Sequence, residues 1–402
     1  MSLRSKLLRV GFGVGLTILG LLLAEGALRL VRGAVPPPPL VRQMWDPGKQ
    51  PFSESGGSVE PVFQERDEAG NFEAAPTPGR PRVMVFGESS VRGGSYLPVA
   101  QEFPALLEGL LSAKGVQVEV LNLGRVGMDS HSIRVLVPAA IAYKPEVAVL
   151  YHGHNDIGNA YFLARYSSVT SATTAHARAF FQRFQLYATM RDLVMPSSTN
   201  PGDGPPVQAI PSTAQASLAV SEFASNLEIE VRTLQKSGAA VILVTPMSRD
   251  GVYEANDASC RGVIPARAWT QGSSGWVLHP ELLSPEIADA ALAESPLCPE
   301  ALFLRGWWRQ RKGDLDGGWT DLRAAREHDP RPVRANTGIV QAVRAVAKRT
   351  GAELVDTVAM VQAGKATATD GWFIDHVHLS ATGHDRMAAM IQPSLEAALA
   401  AR

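Results

Sequence analysis

Four short blocks hold residue types that could do chemistry. They read VFGESSVRGG (85–94), LNLGRVGMDS (121–130), YHGHNDIGN (151–159) and DHVHLSATGH (375–384). In the first, Gly87 permits a sharp turn and Ser89 stands where a strand ends and a helix is expected to begin. A serine there exposes its Oγ and points its own N–H toward an anion site, which suits a nucleophile. A Gly-x-Ser triplet occurs by chance in many loops, so the assignment depends on the other blocks. Ser90 is the alternative nucleophile in the same block.

Each block follows an apolar run of strand length. The runs are Arg82–Phe86, Val116–Asn122, Val147–Tyr151, Ala239–Val244 and Glu353–Val355. The third and fourth are uninterrupted, as in strands covered on both faces of a parallel sheet. Helical patterns lie between them at Phe103–Lys114, Ser132–Ala142, Ser217–Ser237 and Gly338–Thr350. Strand and helix in alternation predict a parallel sheet with right-handed crossovers, whose ligands bind at the carboxyl ends of the strands. The expected fold is a three-layer α/β/α sandwich with five parallel strands in flavodoxin-like order.

The four blocks, in this order and each after its element, resemble the SGNH (GDSL-type) hydrolase family over roughly Arg82 to Ala400, outside two inserted segments. The resemblance implies that Ser89 is the nucleophile, that Ser89, Gly127 and Asn155 supply the oxyanion hole, and that Asp375 and His378 complete a triad. It implies cleavage of an O-acyl ester through an acyl-enzyme, with no metal or organic cofactor. Glu88 departs from the pattern, which usually has Asp before the nucleophile. The chemistry stands on its own terms. Serine attack on an ester makes a tetrahedral oxyanion, and one preorganised donor lowers that barrier by about 3–4 kcal/mol. Gly127 lets backbone approach substrate closely. His378 can carry the serine proton to the leaving group, and Asp375, three residues earlier, can hold its tautomer. The same groups could pass the acyl group to a glycan hydroxyl, as an O-acyltransferase.

Other readings use the same residues. His152-Gly153-His154-Asn155-Asp156 matches an H-x-H-x-D zinc pattern, though Ile157 stands where another His normally follows. Asp375, His376, His378 and His384 could form a metal cluster. His154 and Asp156 either line the pocket or order their loop; ordering is expected. No G-x-S-x-G, P-loop or post-strand G-x-G-x-x-G is present.

With 38 basic and 39 acidic side chains among 402 residues, the chain lacks the basic excess of a nucleic-acid surface. A 45% hydrophobic and 19% charged composition fits a globular body and excludes disorder and a multi-span membrane protein. Arg4, Lys6 and Arg9 precede an uncharged run from Val10 to Ala24, which extends through Glu25 and Arg29 to Val31. This is a signal anchor with its N-terminus inside, or a cleaved signal whose best site, Ala24-Glu25-Gly26, is poor. Either way the body is exported. With the resemblance to a membrane-anchored bacterial subgroup, this gives a single-pass inner-membrane protein with a periplasmic catalytic domain.

The expected organisation is a stub and transmembrane anchor (1–32), a Pro-rich stalk with one short strand at Val59–Phe63 (33–81), the hydrolase domain (82–249 and 331–402), and a helical insert (250–330). An amphipathic helix is expected at Ala175–Val194. Within the insert, 299–330 resembles a single tetratricopeptide repeat, with Gly318 where Ala is usual. A non-catalytic scaffold that binds a partner through this insert and its Trp307, Trp308 and Trp319 is the rival from another class. Cys260 and Cys298 both lie in the insert and either pair or stand as free thiols.

Overall fold

The computed structural model describes residues 3–32, 51–62, 70–92, 97–164, 181, 184–194, 213–250, 254–255, 264–271, 276–329, 334–363 and 371–402. The N-terminal apolar run is one helix, α1 (Leu3–Arg32). Its segment Gly11–Val31 is long and apolar enough to cross a membrane. Beyond it come β1 (Phe52–Ser55), β2 (Ser58–Pro61) and β3 (Phe72–Glu73), an antiparallel sheet in that order. Here the structure departs from the expected stalk. Phe52, Val59 and Phe72 are buried in the main core, and the rings of Phe52 and Phe72 meet Tyr143 edge-on at 5.1 and 5.3 Å. Phe63, the end of the expected strand, lies outside the described residues.

Five strands then form the parallel sheet. They are β4 (Arg82–Gly87), β5 (Glu119–Gly124), β6 (Val147–Tyr151), β7 (Ala240–Val244) and, after the insert, a last strand at Glu353–Val355. Counting the five in chain order, the spatial order is second, first, third, fourth, fifth, and every pairing is parallel. That is the flavodoxin-like arrangement. Positions in β4 and β6 are buried throughout, as a sheet covered on both faces requires.

The helices between the strands are α2 (Phe103–Ala113), α3 (Ser130–Ala140), α4 (Asn155–Ala164), α5 (Gln185–Val194) and α6 (Thr213–Lys236). Of the amphipathic helix expected at Ala175–Val194, α5 is the described part, and the residues from 175 to 180 lie outside the described residues. The insert opens with a small antiparallel sheet of β8 (Glu254–Ala255), β9 (Trp269–Gln271) and β10 (Trp276–Leu278), where helix alone is expected. It continues as α7 (Pro285–Glu294), α8 (Pro299–Arg311) and α9 (Leu315–Glu327). A Cβ on Gly306 of α8 would lie 2.9 Å from the Gly318 carbonyl of α9, so the hairpin's axes approach where both helices lack a side chain. The insert has its own core around Phe303, Leu304 and Leu322. Cys298 is disulfide-bonded; the other cysteine of the sequence, Cys260, lies outside the described residues.

The chain returns through α10 (Thr337–Thr350), β11 (Glu353–Val355), α11 (Thr357–Ala363) and α12 (Ala381–Ala400). One sheet face carries α3, α6 and α10 over Phe86, Leu150 and Leu243. The other carries α2 and α12 over Val85, Val149 and Ile242.

Arg82 locks the N-terminal sheet to this sandwich. Its fully buried guanidinium donates to Glu119 Oε2 (2.7 Å), to the carbonyls of Glu73 (2.6 Å) and Ala74 (3.2 Å), and to Tyr143 O (2.9 Å). Removing one partner of such a pair leaves the other buried and uncompensated, which costs about 3–5 kcal/mol. Arg82→Leu is therefore expected to lower the unfolding free energy, read by urea titration, by that amount, and an unchanged value would show the contact to be idle.

Candidate active site

β4 ends at Gly87, and the chain turns at once. The N–H groups of Val91 and Arg92 both donate to the Glu88 carbonyl, at 2.9 and 3.1 Å. A Cβ on Gly87 would lie 2.4 Å from the Tyr151 carbonyl of β6, so only glycine lets these strand ends close up. Ser89 and Ser90 follow in a hydrogen-bonded turn, not at the start of the expected helix. Ser90 is 1% exposed, and its buried Oγ has no hydrogen-bond partner. Ser89, at 9%, retains more access.

Gly127 follows β5 with φ +78°, and its carbonyl accepts from Asn159 Nδ2 at 3.2 Å. Asn155 opens α4 after β6, and its Nδ2 donates to the Met128 carbonyl at 2.8 Å. That uses one of two amide hydrogens. The bond ties the Asn155 block to the Gly127 loop, so the two expected oxyanion donors are held by one another's segments.

The residue that holds all this is Glu88. Its carboxylate is fully buried, with Oε1 accepting from the N–H of Gly153 (3.0 Å) and of His154 (2.7 Å), and Oε2 from Asn155 N–H (3.0 Å). Burial pushes the carboxyl up to about 8, although these donors favour the anion. Gly153 has φ +127°, and a Cβ there would lie 2.6 Å from Ile339 Cγ2. No other residue type fits both the angle and the space. Sequence reasoning treats Glu88 only as a departure from a pattern; its part in ordering the next block is a structural finding.

Asp375 and His378 meet as expected. Asp375 Oδ2 bonds His378 Nδ1 at 2.6 Å, while Oδ1 accepts from the N–H groups of Val377 and His378, both at 2.8 Å. Burial alone would raise this carboxyl, but the bonds from His378 and Val377 outweigh it and hold the group well below the usual carboxylate range. With Nδ1 facing a carboxylate, the proton sits there and Nε2 is left to accept another. Asp375 and His378 are therefore joined, whereas Ser89 Oγ makes no hydrogen bond to either. Such contacts are often long before substrate arrives.

His154 and Asp156 order their loop. His154 Nδ1 accepts the Ala335 N–H at 3.2 Å, and burial, helped by His376 and His378 nearby, pushes it down to about 3. Asp156 accepts from the N–H and Oγ of Ser130; burial and the charge of Asp129 push it up to about 7. His152 turns elsewhere, to Glu230 Oε2 at 3.0 Å. His384 Nδ1 accepts the Phe103 N–H at 3.1 Å. The three histidines thus bond to separate elements.

Beneath the site, α6 turns Glu222, Asn226 and Glu230 inward, all buried. They meet His131 (3.4 Å), Ser130 Oγ (3.0 Å) and His152 (3.0 Å) respectively. Burial alone would lower His152, but Glu230 pushes it up to about 9. The acid and amide at four-residue spacing among Phe223, Leu227 and Val231 were the available sequence signal for this network.

Neither a family model nor a curated protein matches the chain. Among solved structures, a lipase/acylhydrolase from Enterococcus faecalis is similar at 15% identity and TM-score 0.38, covering 79% of this chain and 96% of that one. An acetylxylan esterase from Geobacillus stearothermophilus gives 15%, 0.38, 79% and 95% for the same quantities. A psychrotrophic esterase from Pseudoalteromonas sp. gives 12%, 0.37, 79% and 98%. The TM-score is low in each case, and the chemistry rests on this chain's own residues.

Three buried groups fix the sign of the alkaline pH dependence. His152, Glu88 and Asp156 hold protons in the folded chain up to about 9, 8 and 7, above their unfolded values of about 6.5, 4.3 and 3.9. Between pH 6.5 and 9 the folded state therefore binds more protons than the unfolded one, and stability falls as pH rises. A melting series across that window is expected to slope downward, and less steeply in Glu88→Gln. A flat or rising series would contradict these protonation states.

Proposed function

We propose that this chain is a membrane-tethered, exported serine ester hydrolase of the SGNH type. The observation that carries the reading is the half-buried Asp375–His378 pair at the same end of the sheet as Ser89, with the Nδ1 of the imidazole committed to the carboxylate. Ser89 Oγ attacks the ester carbonyl and passes its proton to His378 Nε2. The developing oxyanion takes donors from Ser89 N–H, Gly127 N–H and Asn155 Nδ2. Collapse expels the alcohol, which receives the proton from His378, and leaves an acyl group on Ser89. Water, activated by the same histidine, then cleaves that acyl-enzyme. Asp375 keeps the ring in one tautomer and stabilises the imidazolium. The accessibility difference between Ser89 and Ser90 supports Ser89 as the nucleophile.

The tether rests on α1, whose apolar segment is long enough to span, and on the basic residues that precede it. The disulfide at Cys298 suits an oxidising compartment such as the periplasm. The substrate class follows from the reaction: an O-acyl ester, such as an acylated glycan or lipid of the envelope.

Fluorophosphonate labelling and hydrolysis of a p-nitrophenyl ester test the reading together. Ser89→Ala and His378→Ala are expected to abolish labelling and to lower kcat/KM by roughly 10⁴-fold or more. Asn155→Ala is expected to cost about 10²–10³ in kcat, the effect of one oxyanion donor. Ser90→Ala leaves labelling intact. Unchanged labelling in Ser89→Ala, or a folded wild type that neither labels nor hydrolyses, would overturn the assignment.

A further inference from the structure

Most of α1 stands clear of the rest of the protein, with Phe12, Val14, Leu16, Leu19, Leu22 and Leu23 all exposed. It touches the body near one point. Glu25 is buried although it lies within the apolar span. Its Oε1 accepts the N–H of Gln185 at 3.0 Å and its Oε2 that of Leu186 at 2.8 Å, in the first turn of α5. Arg29 Nε donates to the same carboxylate at 2.6 Å. A carboxylate in a membrane segment is costly unless paired, and here the open amides of a helix start and one arginine satisfy it. With a rise of 1.5 Å per residue, Glu25 lies roughly 9 Å short of Val31 along the helix, within reach of the headgroup boundary. So α5 begins within about 9 Å of the membrane surface, near the boundary of headgroups and acyl chains.

Two large apolar side chains of α5 are exposed. Met190 and Leu193 are 59% and 78% exposed, and Phe181 just before the helix is 49% exposed. Large apolar side chains on a helix pinned to a membrane span have one adjoining solvent to enter. We infer that α5 is an interfacial helix, seated in the bilayer surface by Glu25 with Met190 and Leu193 inserted among the lipids. The inference rests on the membrane tether proposed above, and it names the lipid surface as a second attachment. Cleavage of α1 after the Ala24-Glu25-Gly26 triplet would take away the carboxylate that caps α5.

The test uses the full chain in phosphatidylcholine/phosphatidylglycerol vesicles. A polarity-sensitive fluorophore is attached at Met190→Cys, Leu193→Cys or, as an aqueous reference, the exposed Lys236→Cys, with unsubstituted protein as the labelling background. Flotation first reports whether the chain inserts. In floating protein, severalfold stronger quenching by headgroup-level nitroxide lipids at 190 and 193 than at 236 is expected. Glu25→Ala is expected to remove most of that difference while flotation persists. Water-like fluorescence at 190 and 193 in floating protein overturns the inference but leaves the tether standing. Blue-shifted fluorescence that nitroxide lipids do not quench also overturns it, because protein then covers the face. Failure to float overturns the tether and the inference with it. Quenching that survives Glu25→Ala overturns the role of Glu25.

Discussion

A carboxyl group removed from water must be met by hydrogen-bond partners, and Glu88 is met by three successive backbone amides of a neighbouring strand's loop. Much of the site's geometry follows from that contact. β4 and β6 are adjacent strands, so their ends are fixed about 5 Å apart. A side chain issued at the end of one can reach the loop leaving the other. Glu88 does so, and in doing so fixes Gly153, His154 and Asn155 relative to the residue that follows it, Ser89. The proposed nucleophile and the proposed side-chain oxyanion donor are thereby referenced to a single carboxyl group. Gly87 and Gly153 are consequences of the same closeness, since a Cβ at either position would strike Tyr151 or Ile339.

The two faces of the sheet are electrostatically unlike. Over the face that carries α3 and α6, buried Glu222, Asn226 and Glu230 pair with His131, Ser130 and His152. Each bond links α6 to a segment that leads into or out of one of the four sequence blocks. Charges in such a place are retained at a desolvation cost, and a purely apolar packing could be as stable. What they add is direction: a hydrogen bond fixes where His152 and Ser130 point in a way that apolar contact does not. Across the sheet, His384 is pushed down to about 4 by burial and accepts an amide from Phe103 as a neutral ring.

The parallel sheet was legible because burial on both faces leaves continuous apolar runs, as in Val147–Tyr151. The second strand shows the limit of that signal. Val116 and Val118 continue the alternation, but Lys114 and Gly115 form a turn first and pairing with β4 begins at Glu119. The N-terminal sheet was hidden for a different reason. Its strands have four, four and two residues, and their burial is decided by Tyr143 and Arg82, which lie far away in sequence. The Asp375–His378 pair was readable because its spacing forces contact within one turn. Glu88 was not, because a longer acid in place of Asp looks like drift until its acceptor role is seen.

The insert belongs to the site as well as to the periphery. Both of its ends leave and rejoin the body beside the proposed catalytic blocks. On the outgoing side, Arg249 N–H donates to the His376 carbonyl at 2.9 Å, within the Asp–His block. On the returning side, Arg334 donates to the Arg249 carbonyl at 2.8 Å, and Ala335 N–H donates to His154. Between them, Arg326 of α9 reaches Asp250 at 3.1 Å. The two ends are thus bonded to each other, to the histidine block and to the loop that Glu88 orders. An excursion between the fourth and fifth strands at the carboxyl edge of a parallel sheet is placed to shape what enters there. It packs around its own core.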